Sequence, residues 1–324
     1  MRIVIPDDYQ DIVRRLDCWQ VLQGQEVTVH HDTVKGVEAL SERFAQAEAI
    51  VLTRERTVIT SALLDRLPRL RIISQTGAVA AHLDVAACTE RGIAVAAGEG
   101  AGTATAELAW GLILASARRL VDEANRLKGG QWQGHVGYKL QGRRLGVWSY
   151  GRIGKRVAEY GRAFGMQVWV WGGPDSTARA RSDGFEVAPS RDAFFEQTDV
   201  LSLQIRLSPT SRGIVRREDL ARMKPSALIV NTSRAELIEP GALVDALKAG
   251  RPGFAAVDTF EDEPILGASH PLLALPNALC TPHLGFVEQD NYENYYGTAF
   301  RNIVAFAAGT PQGLVNPEAL SRGR

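Results

Sequence analysis

The chain has 324 residues, a length typical of one large domain or two domains of medium size. Hydrophobic residues make up 45% of the chain and charged residues 23%, as in a folded enzyme with a substantial core. The 37 basic and 37 acidic residues cancel, so no net charge draws the chain to nucleic acid or to an acidic membrane surface.

The cysteines are too few and too widely spaced for a disulfide framework, which fits a reducing compartment. They are Cys18, Cys88 and Cys280. No Cys-x-x-Cys pair or histidine-rich cluster indicates zinc, and no metal site is expected. The first residues lack the length of a signal peptide, and no apolar run approaches the roughly 20 residues that span a bilayer. We therefore expect a cytoplasmic protein with no membrane partner.

The first hundred residues alternate short apolar runs with amphipathic stretches. This alternation is typical of a parallel sheet covered by helices on both faces, and thus of a complete small domain. Strands are predicted at residues 2–5, 26–30, 49–53, 70–75 and 93–96, and helices near residues 12–22, 36–47, 61–67 and 83–91.

Residues 98–102, Gly-Glu-Gly-Ala-Gly, are the clearest break in the pattern. Residues 102–128 then predict one long helix, ended by two glycines, that leads into a second domain. A late helix at residues 288–308 is expected to pack back on the first domain. Between these helices, strands are predicted at residues 145–150, 167–171, 200–204, 228–231, 254–258 and 279–281.

A glycine turn joins the strand at residues 145–150 to a helical stretch at residues 152–165. Strand, glycine turn, helix and the strand at 167–171 form a dinucleotide-binding βαβ unit, in which the helix N-terminus favours a pyrophosphate. The G-x-G-x-x-G fingerprint is incomplete because Ser149 replaces its first glycine, so the turn alone does not establish nucleotide binding. The predicted contacts with the dinucleotide are Tyr150, Gly151, Arg152, Ile153 and Gly154.

Three polar segments follow later strands of this second half, at the edge of an open α/β sheet where ligands bind. Arg234 offers a planar guanidinium that can hold a carboxylate, residues 258–264 form an acidic cluster, and His283 can act as an acid or base. Each alone is more often a surface arginine, a solvated turn or a structural histidine. Their conjunction in the half that carries the glycine turn favours catalysis.

With these residues in place, the chain resembles the D-2-hydroxyacid dehydrogenase family, whose members include formate, glycerate and phosphoglycerate dehydrogenases. The resemblance covers nearly the whole chain and is strongest over residues 145–285. The motifs that carry it are Met223-Lys224-Pro225, Asn231-Thr232-Ser233-Arg234 with Gly241-Ala242-Leu243, Asp258 through Glu263-Pro264, and Thr281-Pro282-His283-Leu284-Gly285.

The resemblance implies an α/β fold with two doubly wound parallel-sheet domains. A flavodoxin-like substrate domain would comprise residues 1–100 and 288–324, and a Rossmann cofactor domain residues 101–287. It also implies an NAD(P)-dependent oxidoreductase that interconverts a 2-oxo acid and a D-2-hydroxy acid, as a homodimer formed through the cofactor domain. The long helix at 102–128 and Gln131-Trp132 would contribute to the dimer.

The family further implies roles for the motif residues. Arg234 would hold the substrate carboxylate and carbonyl, and His283, hydrogen-bonded to Glu263, would exchange a proton with the carbonyl oxygen while hydride moves to or from C2. The loop Gly77-Ala78-Val79 would bind the substrate carboxylate through backbone N–H groups. Further cofactor contacts are expected at Thr232, at Asp258 on the nicotinamide side, and at Gly172 and Asp175 on the adenosine side.

The choice between NAD and NADP stays open. Gly172 stands where an NAD-preferring relative would carry an acid for the ribose hydroxyls. Asp175 could replace that acid, whereas Arg179 or Arg181 could meet a 2′-phosphate. The sequence leaves the hydroxy acid open as well, with a weak preference for an apolar or bulky side chain. The competing function is a non-catalytic NAD(P)-sensing regulator or corepressor on the same fold.

Overall fold

The computed structural model describes residues 1–98, 100 and 102–322, so that Glu99 and Ala101 of the predicted glycine-rich junction lie outside the described residues. Its contacts divide the chain into two compact units. Unit 1 comprises Met1–Ala101 and Glu288–Arg324, and unit 2 comprises Gly102–Val287. Among the described residues, no helix is both long enough and apolar enough to cross a membrane.

Unit 1 is built on a parallel five-stranded sheet. Its strands are β1 (Arg2–Ile5), β2 (Glu26–Val29), β3 (Ala49–Leu52), β4 (Ile72–Gln75) and β5 (Ala94–Ala97), and its first helices are α1 (Val37–Phe44), α2 (Ser61–Leu64) and α3 (Val85–Glu90). The order is β2-β1-β3-β4-β5, and all neighbours pair in parallel. Strand β3 is buried at every position, which explains its continuous apolar sequence, and β4 is equally buried although it ends in Ser74 and Gln75.

The helix predicted near residues 12–22 is wrong: the segment forms two 3₁₀ turns, Val13–Arg15 and Asp17–Leu22. Side-chain acceptors take the amide groups there. The Asp8 carboxylate accepts the first two N–H groups of the segment, each at 3.1 Å, and Glu293 accepts those of residues 17 and 18 at 2.6 and 2.9 Å. These tertiary hydrogen bonds replace the α-helical ones that the apolar spacing predicts.

Unit 2 contains a parallel seven-stranded sheet in the order β12-β11-β10-β9-β6-β7-β8. Strand order reverses between β6 and β9, the place where doubly wound sheets bind ligands. The strands are β6 (Arg144–Trp148), β7 (Gln167–Trp171), β8 (Glu186–Val187), β9 (Val200–Leu203), β10 (Leu228–Asn231), β11 (Phe254–Val257) and β12 (Ala278–Cys280). The helices are α4 (Thr103–Arg118), α5 (Leu120–Lys128), α6 (Arg152–Ala163), α7 (Pro174–Ser182), α8 (Arg191–Gln197), α9 (Arg217–Arg222) and α10 (Ala242–Ala249).

The single long helix predicted at residues 102–128 is also wrong, because it breaks at Arg119, whose φ of 53° and ψ of 38° are left-handed. The carbonyl of Ala117 accepts the N–H of Tyr138 at 2.9 Å, so a returning segment ends α4. The Arg119 guanidinium lies 5.4 Å from the ring centre of Phe254 and its Nε lies 2.7 Å from Asp122. Tertiary contacts therefore override the helical sequence pattern.

The chain then returns to unit 1 with α11 (Gln289–Ala307), which packs against β3, β4 and β5. Its buried side is aromatic and includes Tyr292, Tyr295, Tyr296 and Phe300. The predicted fold class is confirmed: two parallel sheets carry helices on their faces, and each has the strand-order reversal of a doubly wound α/β fold.

Candidate active site

The glycine turn after β6 has the backbone geometry of a dinucleotide fingerprint. Ser149 adopts a φ of 82°, a left-handed conformation in which glycine is the easiest residue. A Cβ on Gly154 would lie 2.1 Å from the Ser149 carbonyl oxygen, whereas one on Gly151 would meet nothing within 4 Å. Glycine at position 154 therefore lets α6 approach the end of β6, and glycine at position 151 leaves open space in front of the N-terminus of α6. The turn thus fits a pyrophosphate on the first N–H groups of α6, where Arg152 and Ile153 lie.

Tyr150, a predicted cofactor contact, has a structural role in this turn. Its side chain is 2% exposed, and its hydroxyl donates to Asp183 Oδ2 at 2.9 Å. Its amide donates to Ser176 Oγ at 2.5 Å. Burial raises the pKa of the Tyr150 hydroxyl, and the neighbouring Asp183 raises it further. The amide and the hydroxyl of Tyr150 thus both donate to acceptors within the protein. The predicted contact between Tyr150 and the dinucleotide stays a prediction.

Three adjacent strands bring the predicted catalytic segments to one edge of the sheet. The register aligns Asn231 with Val257 and Val257 with Cys280, so the segments that follow β10, β11 and β12 leave the same edge. The segment after β10 carries Arg234, the one after β11 carries Asp258 and Glu263, and the one after β12 carries His283.

Arg234 lies on a turn that buried polar side chains hold. Asn231, 1% exposed, accepts the Ser233 N–H through Oδ1 at 3.0 Å and donates through Nδ2 to the Arg234 carbonyl at 2.8 Å. Ser233 Oγ donates to the carbonyl of Leu203 in β9 at 2.9 Å. The Arg234 side chain is partly buried, and its Nη1 donates to the Ser233 carbonyl at 2.6 Å. The motif therefore fixes the backbone that carries the guanidinium.

His283 and Glu263 form a close polar contact, with His283 Nδ1 2.6 Å from Glu263 Oε2. The two side chains are 23% and 31% exposed, so the pair is sheltered and still reachable. Glu263 Oε1 accepts the Phe260 N–H at 2.9 Å, which fixes the carboxylate. The ring of Phe286 meets the imidazole edge-on at 5.4 Å between centres. His283 itself has a φ of 53°, a strained conformation of the kind found at functional sites.

Asp258, predicted on the nicotinamide side, is completely buried and holds the loop that carries His283. Its Oδ1 accepts from Thr281 Oγ1 at 2.6 Å and from the Leu284 N–H at 2.7 Å, and its Oδ2 accepts the Gly285 N–H at 2.8 Å. Burial raises the pKa of the Asp258 carboxyl group, and these hydrogen bonds oppose that rise. The structure thus gives Asp258 a positioning role, and its cofactor contact stays a prediction.

Two further features bear on the cofactor. Gln204 Nε2 donates to Ser202 Oγ at 2.9 Å and lies 3.5 Å from Thr232 Oγ1, while its buried Oε1 has no hydrogen-bond partner among the described residues. An unpaired buried acceptor at the edge of a dinucleotide-binding sheet suits a donor on a ligand. Gln204 is not among the cofactor contacts predicted from the sequence. On the other side of the turn, Gly172 is partly buried and Asp175 is exposed.

The predicted carboxylate loop lies in unit 1, after β4. Gly77 has a φ of 80° and is buried, Ala78 is exposed, and Val79 packs against the unit 1 core. A Cβ on Gly77 would lie 2.3 Å from Nη1 of Arg54, a residue that sequence reasoning missed. Arg54 has a φ of 53° and donates its backbone N–H to Thr76 Oγ1 at 2.8 Å. A guanidinium therefore lies against the loop, a contact between distant residues that no local motif signals.

Unit 1 also groups three side chains of metal-ligand type, although the sequence predicts no metal site. Ligand atoms of Asp8, Asp11 and His31 lie within 4.8 Å of one another. Both carboxylate oxygens of Asp8 already accept backbone N–H groups, and His31 Nδ1 lies 3.1 Å from the Asp8 carbonyl. The group thus helps to fix the turn that follows β1.

A parallel sheet with a glycine turn at its switch point is the architecture of dinucleotide-dependent dehydrogenases, and this chain is one of them. The family follows from sequence. Residues 110–285 match the family model described as "D-isomer specific 2-hydroxyacid dehydrogenase, NAD binding domain". The chain belongs to this family of oxidoreductases.

Relatives cover almost the whole chain. Glyoxylate reductase of Aeropyrum pernix is 36% identical over 298 residues, which cover 87% of each chain. Among solved structures, a Ralstonia solanacearum protein with the provisional name D-3-phosphoglycerate dehydrogenase oxidoreductase is 51% identical, with a TM-score of 0.96 and 98% of each chain covered. Phosphoglycerate oxidoreductase of Vibrio cholerae O395 is 49% identical, with a TM-score of 0.93 over 95% of this chain and 99% of that one.

Proposed function

We propose that this chain interconverts a small 2-oxo acid and the corresponding D-2-hydroxy acid, with Arg234, Glu263 and His283 as its catalytic residues. The single observation that carries the proposal is the 2.6 Å contact between His283 and Glu263 at the sheet edge that also carries Arg234. The names of two relatives, glyoxylate reductase and phosphoglycerate oxidoreductase, support the same substrate class, since glyoxylate is a 2-oxo acid and phosphoglycerate a hydroxy acid.

The histidine works through its second ring nitrogen. A carboxylate can only accept hydrogen bonds, so the Glu263 contact requires that His283 Nδ1 carry a proton. The proton that is gained and lost is then the one on Nε2. In reduction Nε2–H donates to the carbonyl oxygen of the 2-oxo acid, and in oxidation neutral Nε2 accepts the hydroxyl proton. The negative charge of Glu263 stabilises the imidazolium that forms in oxidation.

The arginine binds and polarises the substrate. Its planar guanidinium can hold a carboxylate and the adjacent carbonyl oxygen at once, which orients C2 and draws electron density from it. We also propose that backbone N–H groups of the unit 1 loop at residues 77–79 bind a substrate carboxylate. When bound, the nicotinamide dinucleotide supplies or accepts the hydride at C2, and the glycine turn with Thr232, Asp258 and Gln204 provides its site.

The test is absorbance at 340 nm with a panel of 2-oxo acids, each run with NADH and with NADPH. The panel should contain glyoxylate, pyruvate, hydroxypyruvate, a branched-chain 2-oxo acid and a phosphorylated 2-oxo acid. Consumption of the nucleotide with one or more acids is expected. Tight nucleotide binding without turnover on any acid would contradict the proposal and favour the sensing regulator.

We also propose a homodimer in the cytoplasm. Exposed apolar side chains on and after α5 support the dimer, among them Leu127 at 60%, Trp132 at 74% and Val136 at 100% exposure. All three cysteines are free thiols, which suits a reducing compartment. Light scattering on the purified protein is expected to give twice the mass of the chain.

A further inference from the structure

The carboxyl end of β7 lies beside the glycine turn. Strands β6 and β7 pair with Trp148 opposite Trp171, and the Ser149 N–H donates to the Trp171 carbonyl at 2.7 Å. A Cβ on Gly172 would lie 3.6 Å from Ser149 Cα. In a dinucleotide-binding sheet this strand end faces the adenosine ribose, whose 2′ substituent distinguishes NADP from NAD. The residues here therefore decide which nucleotide fits.

This strand end has no acid of its own. The residues that follow β7 are Gly172, Gly173 and Pro174, so no carboxylate is available there to accept the two ribose hydroxyls of NAD. Asp183, at the far end of α7, is already engaged. It lies 2.9 Å from Lys155 Nζ and accepts from the Tyr150 hydroxyl at 2.9 Å, and these two partners hold its pKa below the usual value.

A cation is held there instead. Arg179 Nη2 donates to the backbone carbonyl of Tyr150 at 3.3 Å, which places the guanidinium against the glycine turn. Within the described part of unit 2, Arg179 has this carbonyl and no carboxylate as its side-chain partner. Ser176 Oγ accepts the Tyr150 N–H at 2.5 Å, so its hydroxyl hydrogen is left to donate. A guanidinium and a hydroxyl therefore flank the same residue of the turn.

A 2′-phosphate matches these two donors. Near neutral pH a phosphate monoester carries about −1.5 to −2 charges, and the planar guanidinium can bind it through two parallel hydrogen bonds. Asp175, one helical turn before Arg179, is the nearest acid in the sequence of α7 and is exposed. It offers NAD the only carboxylate of the first turn of α7, and it would repel a phosphate. The preference between NADP and NAD therefore depends on whether the attraction of Arg179 for the 2′-phosphate exceeds the repulsion from Asp175.

We propose that Arg179 and Ser176 bind the 2′-phosphate of the dinucleotide and make this chain selective for NADP(H) over NAD(H). This inference rests on the proposed function, since it requires the glycine turn of unit 2 to hold a nicotinamide dinucleotide. It also makes Arg179 and Ser176 cofactor-specificity residues beyond the contacts that the fingerprint supplies.

The experiment measures binding without catalysis, by calorimetric titration of the full-length protein. The probes are NADPH and NADH, together with the fragments adenosine 2′,5′-bisphosphate and 5′-AMP, which differ only in the 2′-phosphate. The variants are Arg179→Gln, Asp175→Asn and the control Arg181→Gln. Arg181 lies on the same helix, two residues and about 200° around its axis from Arg179, and is exposed like it.

The wild type is expected to bind NADPH and the bisphosphate at least about tenfold tighter than NADH and 5′-AMP. Loss of a charged hydrogen-bond donor should weaken the bisphosphate by about tenfold to a hundredfold in Arg179→Gln and leave 5′-AMP unchanged. Arg181→Gln should bind like the wild type, and Asp175→Asn should bind NADPH as tightly or more tightly.

Two results would overturn the inference: NADH binding as tightly as NADPH, or Arg179→Gln binding the bisphosphate as tightly as the Arg181 control. Failure of every nucleotide and fragment to bind would instead overturn the proposed function. The two failures are therefore distinguishable.

Discussion

Replacement of Glu263 and His283, singly and together, tests the proposed acid–base pair. We choose His283→Asn because position 283 has a φ of 53°, which asparagine tolerates better than most residues. Because His283→Asn removes the proton donor, it is expected to lower kcat by about 10²–10⁴-fold. Glu263→Gln keeps the shape and removes the charge at 2.6 Å from the ring. A hydrogen bond to a charged group contributes about 1.5–3 kcal/mol, which corresponds to about 10- to 150-fold in rate.

The double variant gives the sharper result. Glu263 acts only through the imidazole, so its replacement should cost little once His283 is gone, and the double variant should match His283→Asn within about threefold. The assay is the single-turnover rate of nucleotide oxidation at 340 nm with a saturating 2-oxo acid, after titration shows unchanged nucleotide binding.

The chain offers a matched control in a second histidine–glutamate pair. His270 Nε2 lies 3.0 Å from Glu261 Oε2, in the same unit and at a similar burial of the imidazole, 17% against 23% exposed. His270→Asn should keep kcat within about threefold. Residual turnover above a tenth of the wild type in His283→Asn, or losses that simply multiply in the double variant, would refute the reasoning.

Three further predictions concern the fold around the site and the proposed dimer. Because burial raises the pKa of Asp258, the native state holds the carboxyl proton of Asp258 more tightly than the unfolded chain does. The free energy of unfolding of the wild type should therefore fall, relative to that of Asp258→Asn, as the pH rises above about 4. Urea unfolding at several pH values measures this difference. Gly154→Ala would place Cβ 2.1 Å from the Ser149 carbonyl oxygen, so it should lower the free energy of unfolding by about 1–3 kcal/mol and weaken nucleotide binding. The control is Gly111→Ala, at a position in α4 where Cβ meets open space, and it should raise the free energy of unfolding by up to about 1 kcal/mol. Trp132→Glu should convert the dimer to a monomer in light scattering, and an unchanged mass would exclude this surface from the interface.

The sequence predicts the sheets well because their signal is local. Strand β3, for example, is buried at all four positions and is an unbroken apolar run in the sequence. The errors arise where a distant residue supplies the decisive hydrogen bond. Nothing in the sequence around Arg119 indicates a helix break. The Tyr138 N–H, which donates to the Ala117 carbonyl where α4 ends, lies far along the chain.

The same distinction holds at the site. Arg234, Glu263 and His283 are visible because each lies in a short motif after a strand, and the motifs occur in the expected order. In contrast, the hydrogen bonds that Tyr150 donates, and those by which Asp258 holds the loop of His283, join residues from different strands and helices. No spacing within a motif encodes these contacts, so residue type alone suggests a ligand contact where the structure shows a tertiary one.

The central claim is that the pair of His283 and Glu263 serves hydride transfer at C2 of a D-2-hydroxy acid. The most direct measurement supplies the D and L enantiomers of one 2-hydroxy acid, in turn, with the oxidised dinucleotide that binds more tightly, and follows the rise in absorbance at 340 nm. The proposal predicts reduction of the dinucleotide with the D enantiomer and none above background with the L enantiomer, and it predicts that His283→Asn abolishes the D signal. Equal rates with both enantiomers, or a D-specific rate that survives in His283→Asn, would contradict it.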